Sequence, residues 1–231
     1  MSRYVLKEYG SWGVMTLSFL TGIFTGGSVS FRLIPAYIAI CLLINSKQAL
    51  TLWARNSGTG WRTHAGIFFI QVITASFVLV FLLGGGIEKM LPFAAIPVVY
   101  VILNRSAGEH AIGTEIAGFA SLSSAVLISK YLSAGQVDCR LYVATALFFS
   151  SGVLKVRIQF KKRSLDRAAM VLYLLCVAAV YYLIGAPLVA LLPLADNLIF
   201  AVTLYHSRLR TTGWTEVLKG TGFLLLMALS Y

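Results

Sequence analysis

Nine apolar runs of about 20 residues, separated by short polar turns, constrain this chain more than any other feature of its sequence. A helix needs about 20 apolar residues to cross the hydrocarbon core of a bilayer. The runs therefore predict an all-α, polytopic membrane helical bundle of about nine transmembrane helices. They cover residues 11–30, 33–54, 64–84, 88–104, 111–132, 139–159, 168–185, 187–206 and 213–231. Three runs depart most from an ideal span, because Pro92 and Pro97 interrupt the fourth and the last two carry Asp196, Glu216 and Lys219.

The composition agrees with lipid as the main solvent. Hydrophobic residues make up 58% of the chain and charged residues only 12%, which leaves too little polar surface for a soluble globule. The net charge of +11 does not indicate a nucleic-acid partner, because the cations lie in short connections and not along one helix face. Because the sequence has no linkers or low-complexity tracts, we predict one membrane domain over residues 1–231. Membrane lipids are its predicted partners, and its oligomeric state is unknown.

The stretch Leu141–Arg167 orients the bundle. Its apolar run ends in six cations, answered by the single acid Asp166; they are Lys155, Arg157, Lys161, Lys162, Arg163 and Arg167. Lys and Arg beside short spans are retained on the cytoplasmic side. With the N-terminus inside, thirteen cations fall in inner segments and four in outer loops. The sequence predicts a protein of the cytoplasmic membrane with its N-terminus inside and its C-terminus outside.

Short turns and small residues predict how the helices pack. Connections such as Gly84–Gly86 and Gly185–Pro187 are short and contain glycine or proline, so we expect successive helices to lie side by side. Gly22 and Gly26 form a small-xxx-small pair, which lets two helices approach closely. We expect this contact inside the bundle and not at a dimer interface.

A weak internal repeat is visible when the chain is shifted by about a hundred residues. Glu8-Tyr9 then aligns with Glu109-His110, and residues 36–39 align with residues 141–144. The halves would be residues 1–104 and 105–206, with a final helix over 213–231. Four helices in the same order in each half predict parallel repeats, and ligand sites in such folds lie between the halves.

Polar residues at the inner ends of the second and sixth runs are the main candidates for a ligand site. The ligand-binding candidates are Asn45, Lys47, Gln48, Arg55, Lys155, Arg157 and Gln159. Ionisable residues within spans are costly and usually functional. The alternative for the arginines and Lys155 is snorkelling to lipid headgroups, and for Lys47 it is a structural ion pair. If the two ends face each other, they form one inner-side cavity with no nearby acid.

Four acids are secondary candidates, namely Glu8, Glu109, Glu115 and Asp196. Glu216 and Lys219 are three residues apart, and the simplest expectation for them is an internal ion pair. The three cysteines have no metal-ligand spacing, and no hydrolase, zinc or nucleotide-binding motif is present. The sequence predicts no metal site and no cofactor.

The opening Lys7-Glu8-Tyr9-Gly10-Ser11-Trp12-Gly13 resembles the YwiC-like family of bacterial membrane proteins. That family opens with lysine, glutamate, histidine, glycine, alanine and tryptophan, so Tyr9 stands where the histidine is expected. The likeness continues through residues 32–35, 53–55, 109–118, 156–157 and 213–216. It implies a membrane topology more than an activity.

A more distant resemblance is to the UbiA-like prenyltransferases, which have nine helices in two four-helix repeats plus one. In those enzymes, aspartate-rich motifs at the inner ends of the second and sixth helices hold magnesium and an isoprenoid diphosphate. Asn45 matches the asparagine of the first motif, but Ser46 and Gln48 replace aspartates. Lys155 and Arg157 stand where the second motif would be. Magnesium requires carboxylate or phosphate oxygen, so the resemblance implies the architecture without the metal chemistry.

These observations leave three functions open. The first is binding of an anionic or isoprenoid-type lipid, such as a quinone, in an inner-side cavity. The second is a divergent prenyl or lipid transferase, which the missing aspartates disfavour. The third is a small-solute transporter, for which the parallel repeats and the in-span Lys47, Asp196, Glu216 and Lys219 are the evidence.

The charge bias predicts the outcome of reporter fusions. Fusions after Arg62 and Arg167 should report the cytoplasm, and a fusion after Tyr231 should report the outside, because cations flanking short spans stay inside. Enzymatic reporters active on only one side of the membrane provide the measurement. A cytoplasmic signal from the Tyr231 fusion would remove one span from the topology, most simply the fourth or the ninth.

Overall fold

A chain of this composition is expected to be helical in a membrane, because a helix satisfies its backbone hydrogen bonds internally. The computed structural model describes residues 6, 8–55, 60–108, 110–205 and 209–231, and within them it contains helices and turns but no strand. The α-helices are α1 (Tyr9–Gly26), α2 (Leu33–Arg55), α3 (Trp61–Leu83), α4 (Ile87–Met90), α5 (Ala95–Ser106), α6 (Ile112–Ser123), α7 (Ala125–Ala134), α8 (Cys139–Lys161), α9 (Ser164–Ile184), α10 (Ala195–Thr203) and α11 (Leu209–Ser230). Short 3-10 helices cover Gly84–Gly86, Leu91–Ala94 and Leu188–Leu194.

Five helical segments in the described ranges are long and apolar enough to cross a membrane. They are Leu33–Trp53, Trp61–Ser106, Ile112–Ala134, Cys139–Lys161 and Ser164–Ile184. The 23 residues of α8 extend about 34 Å at 1.5 Å per residue, slightly more than the hydrocarbon thickness. The all-helical, membrane-type architecture predicted from the sequence is therefore confirmed.

Each of the nine predicted runs contains helix, but several helices are short or interrupted. The third and fourth runs form one helical segment, Trp61–Ser106, in which the three glycines and Pro92 fall in 3-10 turns. The eighth run is a 3-10 helix containing Pro193, followed by the nine residues of α10. Proline removes a backbone donor and crowds the preceding turn, which explains the interruption before α10.

Helices α1 and α7 approach each other closely. A Cβ at Gly22 would lie 2.5 Å from the carbonyl oxygen of Val126, and one at Gly26 would overlap the side chain of Ser133. Ser129 also lies against Gly22, so a Gly-xxx-Gly stripe on α1 faces a Ser-xxx-Ser stripe on α7. The prediction of a close helix contact within the bundle is confirmed.

The expectation that successive helices lie side by side is confirmed for α2 with α3 and for α8 with α9. For α1 with α2 it holds only in part, because the two helices meet through side chains such as Thr16 and Tyr37, while the main partners of α1 are α7, α11 and α6 and those of α2 are α3 and α7. The physical reason is the glycine stripe, since α7 can approach that face of α1 more closely than the larger side chains of α2 would allow.

Glu8 and Tyr231 lie at opposite ends of α1. Glu8 directly precedes the helix, whereas Lys130 donates to the carbonyl of Thr25 near the other end. The Lys130 ammonium also lies 5.5 Å from the centroid of the Tyr231 ring, and the Tyr231 hydroxyl donates to Asp138 at 2.8 Å. We call these regions the Glu8 end and the Tyr231 end of the bundle.

Helix α8 lies at the centre of the core, and its apolar middle is mostly buried. Phe148 of α8 stacks on Phe223 of α11 with ring centroids 4.2 Å apart. The buried Tyr181 of α9 donates its hydroxyl hydrogen to the carbonyl of Ala144 at 2.7 Å. These contacts hold α9 and α11 against α8, which is the framework for the polar residues described next.

Replacing Gly22 by leucine should lower the thermal stability of the purified protein. The added side chain has no space beside Ser129, and overpacking typically costs about 1–3 kcal/mol. The control is Gly66→Leu on α3, where an added Cβ would meet nothing within 4 Å. Unfolding in detergent should show a lower Tm for the Gly22 variant only, and equal Tm values for the two would contradict the close contact.

Candidate functional site

Four charged side chains from three helices meet inside the bundle. Lys155 of α8 contacts Asp196 of α10, and its ammonium lies 3.3 Å from Glu216 of α11. Lys219, one turn after Glu216, contacts Glu216 and lies 3.4 Å from Asp196. Each lysine therefore faces both carboxylates. The Glu216–Lys219 ion pair expected from the sequence is confirmed, but it is one edge of a larger network.

Uncharged polar groups complete this network. Asn197 accepts a hydrogen bond from Lys219 and donates to the hydroxyl of Ser151 on α8 at 3.0 Å. The hydroxyl of Tyr205 donates to Asp196 at 2.8 Å. We call Lys155, Asp196, Asn197, Glu216 and Lys219 the charge cluster. The oxygen and the nitrogen of the Asn197 side-chain amide therefore both have hydrogen-bond partners, as buried polar groups require.

Local sequence explains why these residues meet. Ser151 and Lys155 are one turn apart on α8 and so face the same side. Gly152 leaves space for the Glu216 carboxylate, since a Cβ there would lie 3.3 Å from Oε2 of Glu216. The interruption at Pro193 lets α10 begin at Ala195, which places Asp196 in its first turn.

The lysines and the carboxylates of the cluster differ in exposure. The side chains of Lys155 and Lys219 are 1% and 8% exposed, whereas those of Asp196 and Glu216 are 33% and 31% exposed. A buried ammonium is strongly disfavoured unless it is paired, so the carboxylates neutralise it. The cluster is charge-balanced, with its cations in the interior and its anions partly exposed.

A second ion pair lies at the Glu8 end. The Lys47 ammonium donates to both oxygens of Glu8, at 2.8 and 3.0 Å, and Asn45 accepts from the backbone N–H of Leu6 at 3.0 Å. Burial raises the pKa of the Glu8 carboxyl, but the hydrogen bonds from Lys47, its charge and the hydroxyl of Ser11 outweigh burial and hold the pKa below its usual range. The pair thus stabilises the fold at neutral pH, and that contribution is lost as the pH falls through the lowered pKa.

Arg157 forms a third pairing at the same end. Its guanidinium donates to Glu115 at 3.2 Å and to the backbone carbonyl of His110 at the start of the α6 region. Two residues further along α8, Gln159 accepts a hydrogen bond from Thr212 of α11 at 3.1 Å. These contacts tie α6 and α11 to the end of α8.

The predicted site residues are distributed over these three places. Lys47 pairs with Glu8, Lys155 with Asp196 and Glu216, and Arg157 with Glu115. The expectation that no acid lies near these cations is wrong, because folding brings carboxylates from distant parts of the chain. Gln48 is half-buried on α2. The side chain of Arg55 and the whole of Glu109 lie outside the described residues.

Sequence reasoning gave too little weight to Glu216, Lys219 and Asn197, and it missed Tyr205. The available signal was the concentration of Asp196, Asn197, Glu216 and Lys219 in two runs that otherwise read as spans. Tyr205 gives no such signal, since tyrosine is common at the end of a span.

The charge cluster contains groups that are able to exchange a proton and to form polar contacts. Within the part of the chain that the structure describes, no three His, Cys, Asp or Glu side chains are placed to hold a metal ion. The side chains of Asp196 and Glu216 are 33% and 31% exposed, although Oε1 of Glu216 is itself buried, and the ammonium groups of Lys155 and Lys219 lie against them.

Comparison with known proteins gives one match. The family model described as YwiC-like protein matches residues 5–130. A search of curated proteins and a search of solved structures gave no match. The matched region contains the Glu8–Lys47 pair and the Gly22–Ser129 part of the α1–α7 contact, and the charge cluster follows it. The resemblance to UbiA-like prenyltransferases stays a prediction.

A double-mutant cycle tests whether Lys155 and Asp196 act as a pair. Lys155→Met should cost about 3 kcal/mol, the low end of the range for breaking a buried pair, because Lys219 still faces the carboxylates. Adding Asp196→Asn should cost less than the sum of the single changes, since contacting residues couple by about 0.5–3 kcal/mol.

Chemical or thermal unfolding in detergent gives these energies. The matched control is Lys161→Met, the same substitution at an exposed position of the same helix, and it should be near neutral. Strict additivity of Lys155→Met and Asp196→Asn would show that the pair does not act as a unit.

Proposed function

The chain belongs to the YwiC-like family, and from the charge cluster we propose that it is an integral membrane protein that moves a small polar solute across the bilayer, coupled to protons. The observation that carries this proposal is the position of two buried lysines against two partly exposed carboxylates inside the bundle. Ionisable residues inside membrane bundles commonly mark ion and substrate pathways or proton relays.

A contribution to folding stability is a weak explanation for the presence of the charge cluster. Replacing a buried ion network by well-packed apolar residues is often neutral or stabilising, and lipid raises the cost of charge further. A chain that keeps Lys155, Lys219, Asp196 and Glu216 together inside apolar helices therefore uses them for something other than packing.

The charge balance of the cluster couples proton binding to solute binding. With both lysines charged, Asp196 and Glu216 must both be ionised for the cluster to be neutral. A proton on Asp196 removes one negative charge and leaves a buried ammonium without full compensation, which favours a rearrangement or an incoming anionic group. The charged and titratable groups that face Asp196 are Lys155 from α8, Lys219 and Glu216 from α11, and Tyr205 beyond α10.

Helix α10 is suited to such a rearrangement. It has nine residues and follows a proline-containing 3-10 helix, so it is the second half of a broken helix. Broken helices near the membrane midplane form the substrate and ion sites of many transporters. At the other end of α10, Arg167 of α9 donates to the carbonyls of Ala201 and Val202, which anchors that end while Asp196 moves.

The proposed topology has nine crossings in the cytoplasmic membrane, with the Glu8 end inside. The positions of Glu8 and Tyr231 at opposite ends of α1 support an odd number of crossings. The parallel contact of α1 with α7 joins residues about a hundred positions apart, as in Gly26 with Ser133, and this supports parallel repeats.

Binding of an anionic or isoprenoid-type lipid head at the Glu8 end is the second candidate. Its support is Arg157, which is 18% exposed beside Glu115 and near the Gln159–Thr212 contact. This candidate ranks second because Lys47, Lys155 and Arg157 already have carboxylate partners, which a lipid phosphate would have to displace.

Proton movement into liposomes tests the transport proposal. Proteoliposomes containing a pH-sensitive dye are given inward gradients of amino acids, organic acids or amines in turn. For at least one class, internal pH should change faster than in protein-free liposomes, because solute movement carries protons through the cluster. Asp196→Asn should abolish that difference, since an amide does not exchange a proton at neutral pH.

Glu88→Gln is the matched control, because Glu88 is an exposed carboxylate away from the cluster and its loss should leave the rate unchanged. A pH change that persists in the Asp196 variant would exclude the cluster from coupling. Absence of any protein-dependent change with all three solute classes would overturn the transport proposal and favour the lipid-binding candidate.

A further inference from the structure

An apolar groove of about 470 Å³ lies between α1 and α2. Phe19, Leu20 and Ile23 line it from α1, and Ile34 and Ile38 line it from α2. Its volume lies within the range of about 300–1,000 Å³ that is usual for small-molecule sites. The groove runs from the middle of the two helices to their connection at the Tyr231 end, far from the Glu8–Lys47 pair.

The groove exists because α1 and α2 meet at one level and then diverge. Where they meet, Tyr37 forms the floor, with its hydroxyl 2.8 Å from that of Thr16 and its ring 5.2 Å from that of Phe19. Beyond this level α1 turns its glycine stripe to α7, which leaves Leu20 and Ile23 only half-buried beside the groove.

The lining requires an apolar occupant. Apart from Thr16, Ser30 and the Tyr37 hydroxyl, the residues around the groove are hydrocarbon or aromatic. Thr16 and Tyr37 already bond to each other. An apolar cavity does not hold ordered water, and in a membrane this groove opens towards lipid through the exposed Ile34 and Ile38.

A cation stands next to the groove in the chain, because Arg32 lies between the lining residues Phe31 and Leu33. Arg32 follows Phe31, a lining residue that is 91% exposed, and Arg32 itself is exposed. Among the residues that the structure describes, no carboxylate lies within ion-pair distance of Arg32. This distinguishes Arg32 from Lys47, Lys155, Arg157 and Lys219, each of which has a carboxylate partner.

We propose that the groove and Arg32 together bind one anionic phospholipid of the leaflet at the Tyr231 end. One acyl chain occupies the groove above Tyr37, and the phosphate pairs with the Arg32 guanidinium. Arginine suits a phosphate because its planar donors match two oxygens at once. The site is separate from the charge cluster and stands whether or not the protein is a transporter.

Native mass spectrometry of the protein exchanged into mixed phosphatidylglycerol and phosphatidylcholine tests the headgroup contact. The parent protein should retain phosphatidylglycerol preferentially. Arg32→Gln should reduce that preference about fivefold, the effect expected from one cation near an anionic lipid. The matched control is Arg140→Gln, which removes another cation at the Tyr231 end near Asp138, and it should keep the parent preference.

A second pair of variants tests the tail contact. Ile34→Trp fills the groove and should reduce retention of both lipids, whereas Leu172→Trp adds the same ring at an exposed position of α9 and should not. Because Ile34 and Leu172 are both exposed, each variant should fold, and its Tm checks this. Equal retention by the two tryptophan variants, or an equal loss of headgroup preference in Arg32→Gln and Arg140→Gln, would overturn the proposal.

Discussion

The need to neutralise two lysines inside an apolar bundle fixes how the second half of this chain packs. Lys155 and Lys219 lie on different helices and share Asp196 and Glu216, so α8, α10 and α11 cannot separate without exposing a charge to lipid. Such charges are expensive in hydrocarbon. The aromatic stack of Phe148 and Phe223 adds packing between α8 and α11, but the ion network determines their register.

The two ends of the bundle are held by different chemistry. At the Glu8 end, ion pairs tie Lys47 to Glu8 and Arg157 to Glu115. At the Tyr231 end, each contact joins one charged group to an uncharged group, since the Tyr231 hydroxyl donates to Asp138 and Lys130 donates to a backbone carbonyl. The Glu8 end is therefore the more sensitive of the two to salt and pH.

Features set by neighbouring residues could be predicted from the sequence, and features set by tertiary packing could not. The helical runs, the Gly22–Gly26 stripe and the Glu216–Lys219 pair depend on spacing within one helix, so local periodicity identifies them. The partners of Lys47 and Lys155 lie 39 and 41 residues away. Unless it is known which helices touch, the cations of α2 and α8 are expected to repel one another, whereas in the structure Lys47, Lys155 and Arg157 each have a carboxylate partner of their own.

The contact between Gly26 and Ser133 also sets the order of events during synthesis. Helix α1 is made first, but the serine stripe that covers its glycines is about a hundred residues further along the chain. At a translation rate of about 5–20 residues per second, that partner arrives roughly 5–20 s later. During this interval the glycine face of α1 has only lipid or the insertion machinery beside it, so the first helix to be made waits for its closest-packed partner until the middle of the chain is synthesised.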